Sequence, residues 1–263
     1  MNVVNRCFMG IFCLFTSYLV SLNGADLHCI IVGDTGADDI KNAIQIDMRS
    51  VYFEAQRIAS YTGMNLKISL YSGGEAKPSP LLQTIQSLQT NRDDAIIFYF
   101  SGHGYRLKDK ASQWPYLLLL KEQKAINLDL ITKALAEKTA HFILVIADCC
   151  NNVIQDQFAR PVVEKEIKDK SSLTKIKRNY RSLFLESSVL ITVTSAGVGQ
   201  TSLCNSNGSH YTNSFLKALH NEAQVTNRSS NWSNIIERSA FMAREMALRT
   251  NHHQDAVYEI VPR

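Results

Sequence analysis

Cys150 and His103 are the two residues of this 263-residue chain whose types and settings fit nucleophilic catalysis. A cysteine is a usable nucleophile at neutral pH when an adjacent imidazole takes its proton, and the imidazole can later protonate a leaving amine. Glycines flank the histidine in Ser101-Gly102-His103-Gly104, so the backbone beside the base needs little room. The N–H of Gly104, together with that of Cys150, suits the oxyanion of a tetrahedral intermediate. Taken singly, a histidine at a strand end is more often structural, and a buried cysteine is usually an inert small hydrophobe. The joint placement carries the expectation.

That placement depends on two apolar runs. Ala95-Ile96-Ile97-Phe98-Tyr99-Phe100 leads into Ser101-Gly102-His103-Gly104, and Phe142-Ile143-Leu144-Val145-Ile146-Ala147 leads into Asp148-Cys149-Cys150-Asn151. Runs of β-branched and aromatic residues without polar alternation suit strands covered on both faces, as in a parallel sheet flanked by helices. Parallel neighbours end on one edge, where open α/β sheets place ligands and chemistry. His103 and Cys150 are therefore expected side by side.

The remaining elements follow in order. Leu27 to Val32 reads as the first strand, closed by Gly33-Asp34-Thr35-Gly36. This turn lacks both the P-loop and the three-glycine nucleotide fingerprints. Asp39 to Ser60 has helical spacing with Asp38 or Asp39 placed to cap it, and Asn65 to Tyr71 alternates like a strand. Pro80 to Gln89 predicts a short helix with proline at its start. Tyr116 to Leu120 predicts a hairpin arm or short strand, and Asp129 to Lys138 a helix. Val189 to Thr194 predicts another buried strand, Thr212 to Leu219 and Ser233 to Arg249 helices, and Val257 to Val261 a last strand. Alternating strands and helices argue for an α/β sandwich, a mostly parallel central sheet flanked by helices in three layers.

Composition narrows the class. The length and the apolar fraction of 45% fit one large domain with a full core, residues 26–263. Between Arg160 and Arg181 stand eight Lys or Arg against three Asp or Glu, a surplus of five, so the rest of the chain, with a net charge of +4 overall, is about neutral. It is poor in aromatics, which argues against a nucleic-acid face. Residues 160–182 instead read as an exposed, partly disordered basic linker or insertion.

Arg6, the apolar run Cys7 to Leu22 and the small polar Asn23-Gly24-Ala25 have the order of a secretory signal peptide. Residues 1–25 are expected to be that signal, or an uncleaved membrane anchor, so the chain is expected to be exported. Beyond it remain Cys29, Cys149, Cys150 and Cys204. An oxidising compartment allows a Cys29–Cys204 bridge, whereas adjacent Cys149 and Cys150 alternate faces and rarely pair. Four cysteines are too few for a disulfide scaffold, so the core must supply the stability.

Phe98-Tyr99-Phe100-Ser101-Gly102-His103-Gly104 and Asp148-Cys149-Cys150 resemble the histidine and cysteine motifs of the caspase and metacaspase peptidases, clan CD cysteine endopeptidases of the peptidase C14 type. The resemblance is closer to the metacaspase branch. The histidine stands roughly 50 residues before the cysteine, as in caspases. The likeness continues through Ser195-Ala196, Gln200 and Tyr211 to Leu219, and covers roughly Leu27 to Val261. It implies a caspase-like sandwich with a dyad of Cys150 and His103, Cys149 taking a position usually held by serine. It also implies a pocket lined by Ser101 and Asp148 and, less securely matched, Asp47. Two carboxylates favour an Arg or Lys side chain before the cut, so the expected partners are proteins or peptides with basic residues. The basic linker falls where the family carries its processing segment, which implies self-cleavage there.

Two departures matter. Metacaspases usually follow the nucleophile with His-Ser-Gly, where this chain has Asn151-Asn152-Val153. Many also need calcium, but Lys121-Glu122-Gln123-Lys124 and Asn127-Leu128-Asp129 offer too few carboxylates for a hard cation. No cofactor and no metal are expected. Two other readings stay open: an inactive pseudo-protease serving as an interaction module, and a metal-binding protein using His103, Cys149 and Cys150. Adjacent strand cysteines point to opposite faces and make poor ligands to one ion.

Overall fold

The computed structural model describes residues 24–152 and 173–263. The first stretch contains β1 (Asp26–Gly33), α1 (Lys41–Thr62), β2 (Asn65–Ser72), α2 (Pro78–Ser87), β3 (Ala95–Ser101), β4 (Gly104–Tyr105), β5 (Tyr116–Leu119), β6 (Lys124–Asn127), α3 (Leu128–Ala136) and β7 (Phe142–Asp148). The second contains α4 (Leu173–Arg181), β8 (Val189–Thr194), β9 (Cys204–Asn205), β10 (Gly208–Ser209), α5 (His210–Ala223), α6 (Trp232–Leu248) and β11 (Val257–Pro262).

Six strands form the central sheet in the order β11-β8-β7-β3-β1-β2. All neighbours are parallel except β11, which runs antiparallel to β8. The uninterrupted apolar runs predicted as strands are the inner ones, and every residue of β3 and β7 is buried. Strand alternation divides their side chains between two cores. Cys29, Ile31, Ile97, Tyr99, Leu144, Ile146, Ile191 and Val193 pack with residues of α1, α4, α5 and α6 on one face. Ile30, Val32, Ile96, Phe98, Phe100, Ile143, Val145 and Ala147 pack with α2, α3 and β5 on the other. Each fully buried large aliphatic or aromatic side chain contributes about 1.5–3 kcal/mol. The edge strand β2 alternates exposed and half-buried positions, as its polar alternation predicts.

Two small sheets lie at the carboxyl edge. β4-β5-β6 is an antiparallel sheet that begins one residue after His103, and Leu118 N–H bonds the His103 carbonyl at 2.9 Å. β9 and β10 form a hairpin that leads directly into α5.

Several sequence expectations change in detail. Neither Asp38 nor Asp39 caps α1; Ile40 holds the cap position without a side-chain bond. α2 starts at Pro78, two residues ahead of Pro80. The end of the expected basic linker is ordered: α4 spans Leu173–Arg181 and buries Asn179 and Tyr180. Asn179 Nδ2 bonds the carbonyls of Ala223 and Val225, both at 2.9 Å, so the segment is tied to the end of α5 by a polar anchor inside a charge-rich run. The part of that linker before Leu173, and the N-terminal signal or anchor segment up to Asn23, lie outside the described residues. Cys29, Cys149, Cys150 and Cys204 are all free thiols, so the Cys29–Cys204 bridge does not form. No helix among the described residues is long and apolar enough to cross a membrane.

Candidate active site

Ser101 and Asp148 are register partners at the carboxyl ends of β3 and β7. His103 and Cys150 therefore leave the sheet at the same level, two residues further along parallel neighbours. The emerging segments stay together: Gly102 N–H bonds the Asp148 carbonyl at 3.3 Å and Arg106 N–H bonds that of Asn152 at 3.0 Å. Gly104 packs so tightly on the cysteines that a Cβ there would overlap the Cys150 carbonyl oxygen and stand 2.5 Å from Cys149 Sγ. The glycine after the histidine is thus a spatial requirement.

Alternation also separates the two thiols. Cys149 is fully buried in the core shared with α2 and α3, while Cys150 is partly exposed. Burial pushes the Cys149 thiol well above the ordinary range. Burial also pushes the Cys150 thiol up, and the negative charges of Asp148 and Asp39 add to this. Attack by Cys150 therefore calls for a base beside it.

His103 has acidic company in Asp39 and Asp34, which the sequence pattern marks only as a helix cap and a turn residue. Its Nε2 lies 3.3 Å from Asp39 Oδ1. Asp34, at the end of the neighbouring β1, is 1% exposed and stands close enough for its charge to interact with His103. Burial raises the Asp34 carboxyl, with the Leu120 N–H at 3.2 Å and the charge on His103 pulling the other way. Asp34 carried a signal, a carboxylate at the end of the strand beside the histidine strand, since β1 and β3 are parallel neighbours, whereas Asp39 lies further on, just before α1.

Asn151, where a different residue was expected, is fully buried. Its Nδ2 bonds the carbonyls of Gln113 at 2.9 Å and Ala196 at 3.3 Å, and its N–H bonds the Gln200 carbonyl at 3.0 Å. Arg106 Nη1 donates to its Oδ1 at 3.4 Å. The side chain thus ties the turn after Cys150 to two loops, the one between β4 and β5 and the one between β8 and β9. Ser195 supports the same strand end, accepting from Cys149 N–H at 3.0 Å and donating to Ser202 Oγ at 2.8 Å.

The three pocket candidates do come together. Ser101 Oγ donates to Asp47 Oδ2 at 3.0 Å, and Ser209 N–H donates to Asp47 Oδ1 at 2.9 Å. Asp148 accepts from Ser202 Oγ at 2.8 Å, from Thr212 N–H at 3.0 Å, from Thr212 Oγ1 at 2.6 Å and from the Ser209 hydroxyl. The Asp148 carboxylate thereby sits at the N-terminus of α5, where the helix dipole favours negative charge. Asp47 and Asp148 are 1% and 3% exposed, so the hairpin of β9 and β10 closes over them. Burial, and then the charge of Asp148, push the Asp47 carboxyl well above its ordinary range. Ser202, Ser209 and Thr212 were not singled out from the sequence, because single hydroxyls carry no spacing signal.

Of the carboxylates downstream of the histidine, Asp129 is held by Lys110 Nζ at 2.5 Å and Ser112 Oγ at 2.6 Å, and Glu122 pairs with Lys77 at 3.4 Å. Among the described residues, His103, Cys149 and Cys150 do not group as a metal site.

The family model for the caspase domain matches residues 76–251. No curated protein matches the sequence significantly. Among solved structures, protein GSU0716 from Geobacter sulfurreducens superposes with a TM-score of 0.53 at 10% identity, over 90% of this chain and 93% of that one. At that identity the likeness concerns the fold alone.

Proposed function

Since the chain belongs to the caspase domain family, we propose that it is a cysteine endopeptidase acting through Cys150 and His103. The observation that carries this reading is the β3/β7 register, which delivers both residues to one sheet edge at one level. In the proposed reaction, Cys150 Sγ attacks the scissile carbonyl as His103 takes its proton, and the imidazolium then protonates the leaving amine. With Nε2–H given to Asp39, the lone pair that accepts the thiol proton is on Nδ1. The backbone N–H groups of Gly104 and Cys150 are the proposed oxyanion donors.

The preference we propose is for Arg or Lys before the cut, as in metacaspases. It is supported by the convergence of Asp47 and Asp148 on Ser209 beside the nucleophile. A cationic side chain entering there displaces Ser209 from the two carboxylates, which requires the hairpin of β9 and β10 to shift. Self-cleavage in the basic stretch before α4, and export of the chain, belong to the same proposal. The test uses fluorogenic peptides ending in Arg, Lys, Asp or Leu, with Cys150→Ala as control and sequencing of any new amino terminus. Cleavage after Arg and Lys that vanishes in the control is expected. Equal turnover by the control, or a preference for Asp, overturns the reading.

A second reading is favoured by the raised Cys150 thiol and the closed carboxylate pair: an interaction module with the peptidase scaffold and no turnover. Failure of all four peptides, with Cys150 also inert to iodoacetamide at alkaline pH, selects it.

A further inference from the structure

The sheet edge opposite the nucleophile carries a second cluster that peptide hydrolysis does not use. Asp26 opens β1, His28 follows two residues on, and Asp94 immediately precedes β3. One ligand atom from each of these side chains lies within 4.8 Å of the other two. His28 is only 8% exposed, and its Nε2 is buried without a hydrogen-bond partner. An orphaned ring nitrogen at that depth is costly and calls for an explanation.

His28 Nε2 faces Asp94 Oδ2 at 3.6 Å. That separation is long for a hydrogen bond. It is close to the roughly 3.4 Å that separates two ligand atoms of a tetrahedral ion whose bonds are about 2.1 Å. Asp94 is fixed independently, since its Oδ1 accepts Asp26 N–H at 2.8 Å and its Oδ2 accepts Asn91 N–H at 2.7 Å. Backbone donors that orient a carboxylate are what a ligating oxygen needs from its surroundings. Asp26 is half-buried, and a carboxylate oxygen of its side chain lies within 4.8 Å of both other ligand atoms. One imidazole with two carboxylates is a poor donor set for Ca²⁺ or Mg²⁺ and a good one for Zn²⁺.

We propose that Asp26, His28 and Asp94 bind one zinc ion, with an open position for water, and that the ion clamps the start of β1 to the turn before β3. Asp26 and Asp94 are far apart in sequence, so no spacing motif reveals the site. The competing account is a direct contact between His28 and Asp94, with no ion.

The test is calorimetric titration of Zn²⁺ into the full chain carrying Cys150→Ala and Cys204→Ser, which removes the two partly exposed thiols among the described residues. One equivalent bound and a raised Tm are expected, with at least tenfold weaker binding when His28→Gln or Asp26→Asn is added. Asp26→Asn keeps the backbone bond to Asp94 and sits at a half-buried strand start, so it serves as the arm least exposed to misfolding. Co²⁺ in place of zinc is expected to give a visible spectrum without a thiolate charge-transfer band. No saturable binding at neutral pH, binding indifferent to both added substitutions, or a thiolate band overturns the proposal.

Discussion

Asp47 and Glu54 lie seven residues apart on one face of α1, and both are almost wholly buried, at 1% and 5% exposure. Their surroundings are opposite. Glu54 is met by Tyr180 Oη at 2.6 Å, His220 Nε2 at 2.8 Å and Arg57 Nη1 at 2.8 Å. Burial alone would raise the Glu54 carboxyl, but the bonds and charges of His220, Tyr180 and Arg57 outweigh it and hold the carboxyl below its ordinary range. Asp47 has only neutral donors, Ser101 and Ser209, and it faces the like charge of Asp148. The middle of the helix thus joins α4 and α5 through a compensated charge. Its first turns hold a carboxyl with no cationic partner at the sheet edge where Cys150 emerges. Local rules that fail in one place and hold two turns away mark the failing place as the candidate for function.

The contrast breaks most visibly at Glu54. Glu54→Gln leaves Tyr180, His220 and Arg57 without their anion, and a loss of roughly 3 kcal/mol in unfolding free energy is expected. Because the folded carboxyl is lowered, its stabilisation is complete above about pH 4.5 and is lost as pH falls through the folded value. The variant should therefore lose the wild type's extra sensitivity in that acid window. Urea unfolding across pH checks both points, and a loss under 1 kcal/mol shows the network to be ornamental. Peptide hydrolysis by the folded fraction should be unchanged.

Much of this arrangement was legible in the sequence, for reasons that also explain the rest. Ala95 to Phe100 and Phe142 to Ala147 announce central strands because nothing polar interrupts them, and their ends fix where His103 and Cys150 emerge. The acidic partners of the histidine were hidden because Asp34 and Asp39 reach it across a strand neighbour, which no local pattern records. α4 is hidden in the sequence because its charges mask two buried residues, Asn179 and Tyr180, whose hydrogen bonds are all long-range. The lid over the carboxylates was hidden because β9 and β10 have two residues each.

Gly208 sharpens the contrast from the lid side. Its φ is +102°, and a Cβ there would overlap Asp47 Oδ1. Gly208→Ala pays about 1–2 kcal/mol for the left-handed backbone alone and pushes the hairpin off Asp47. A stability loss of roughly 2 kcal/mol is expected, with a several-fold fall in the Arg-over-Leu ratio of kcat/KM. An unchanged ratio at reduced stability separates the lid from specificity.

The smallest effect is the most diagnostic. Asparagine at position 47 matches the protonated carboxyl in shape, keeps an acceptor for Ser209 N–H and offers its amide to the Ser101 hydroxyl. In the wild type the folded carboxyl keeps its proton above the pH near 4 at which the unfolded chain releases it. The stability this gives is fully present below that pH and is lost as pH rises through the folded value. Wild-type stability should therefore fall relative to Asp47→Asn as pH rises from about 4 towards neutral, by at most about 1.4 kcal/mol per pH unit. The Arg-over-Leu ratio of the wild type should climb as pH rises through the folded value of Asp47, where the second negative charge appears, while that of the variant stays flat. A stability difference independent of pH means that Asp47 is an ordinary buried polar group, and the asymmetry along α1 then carries no chemistry.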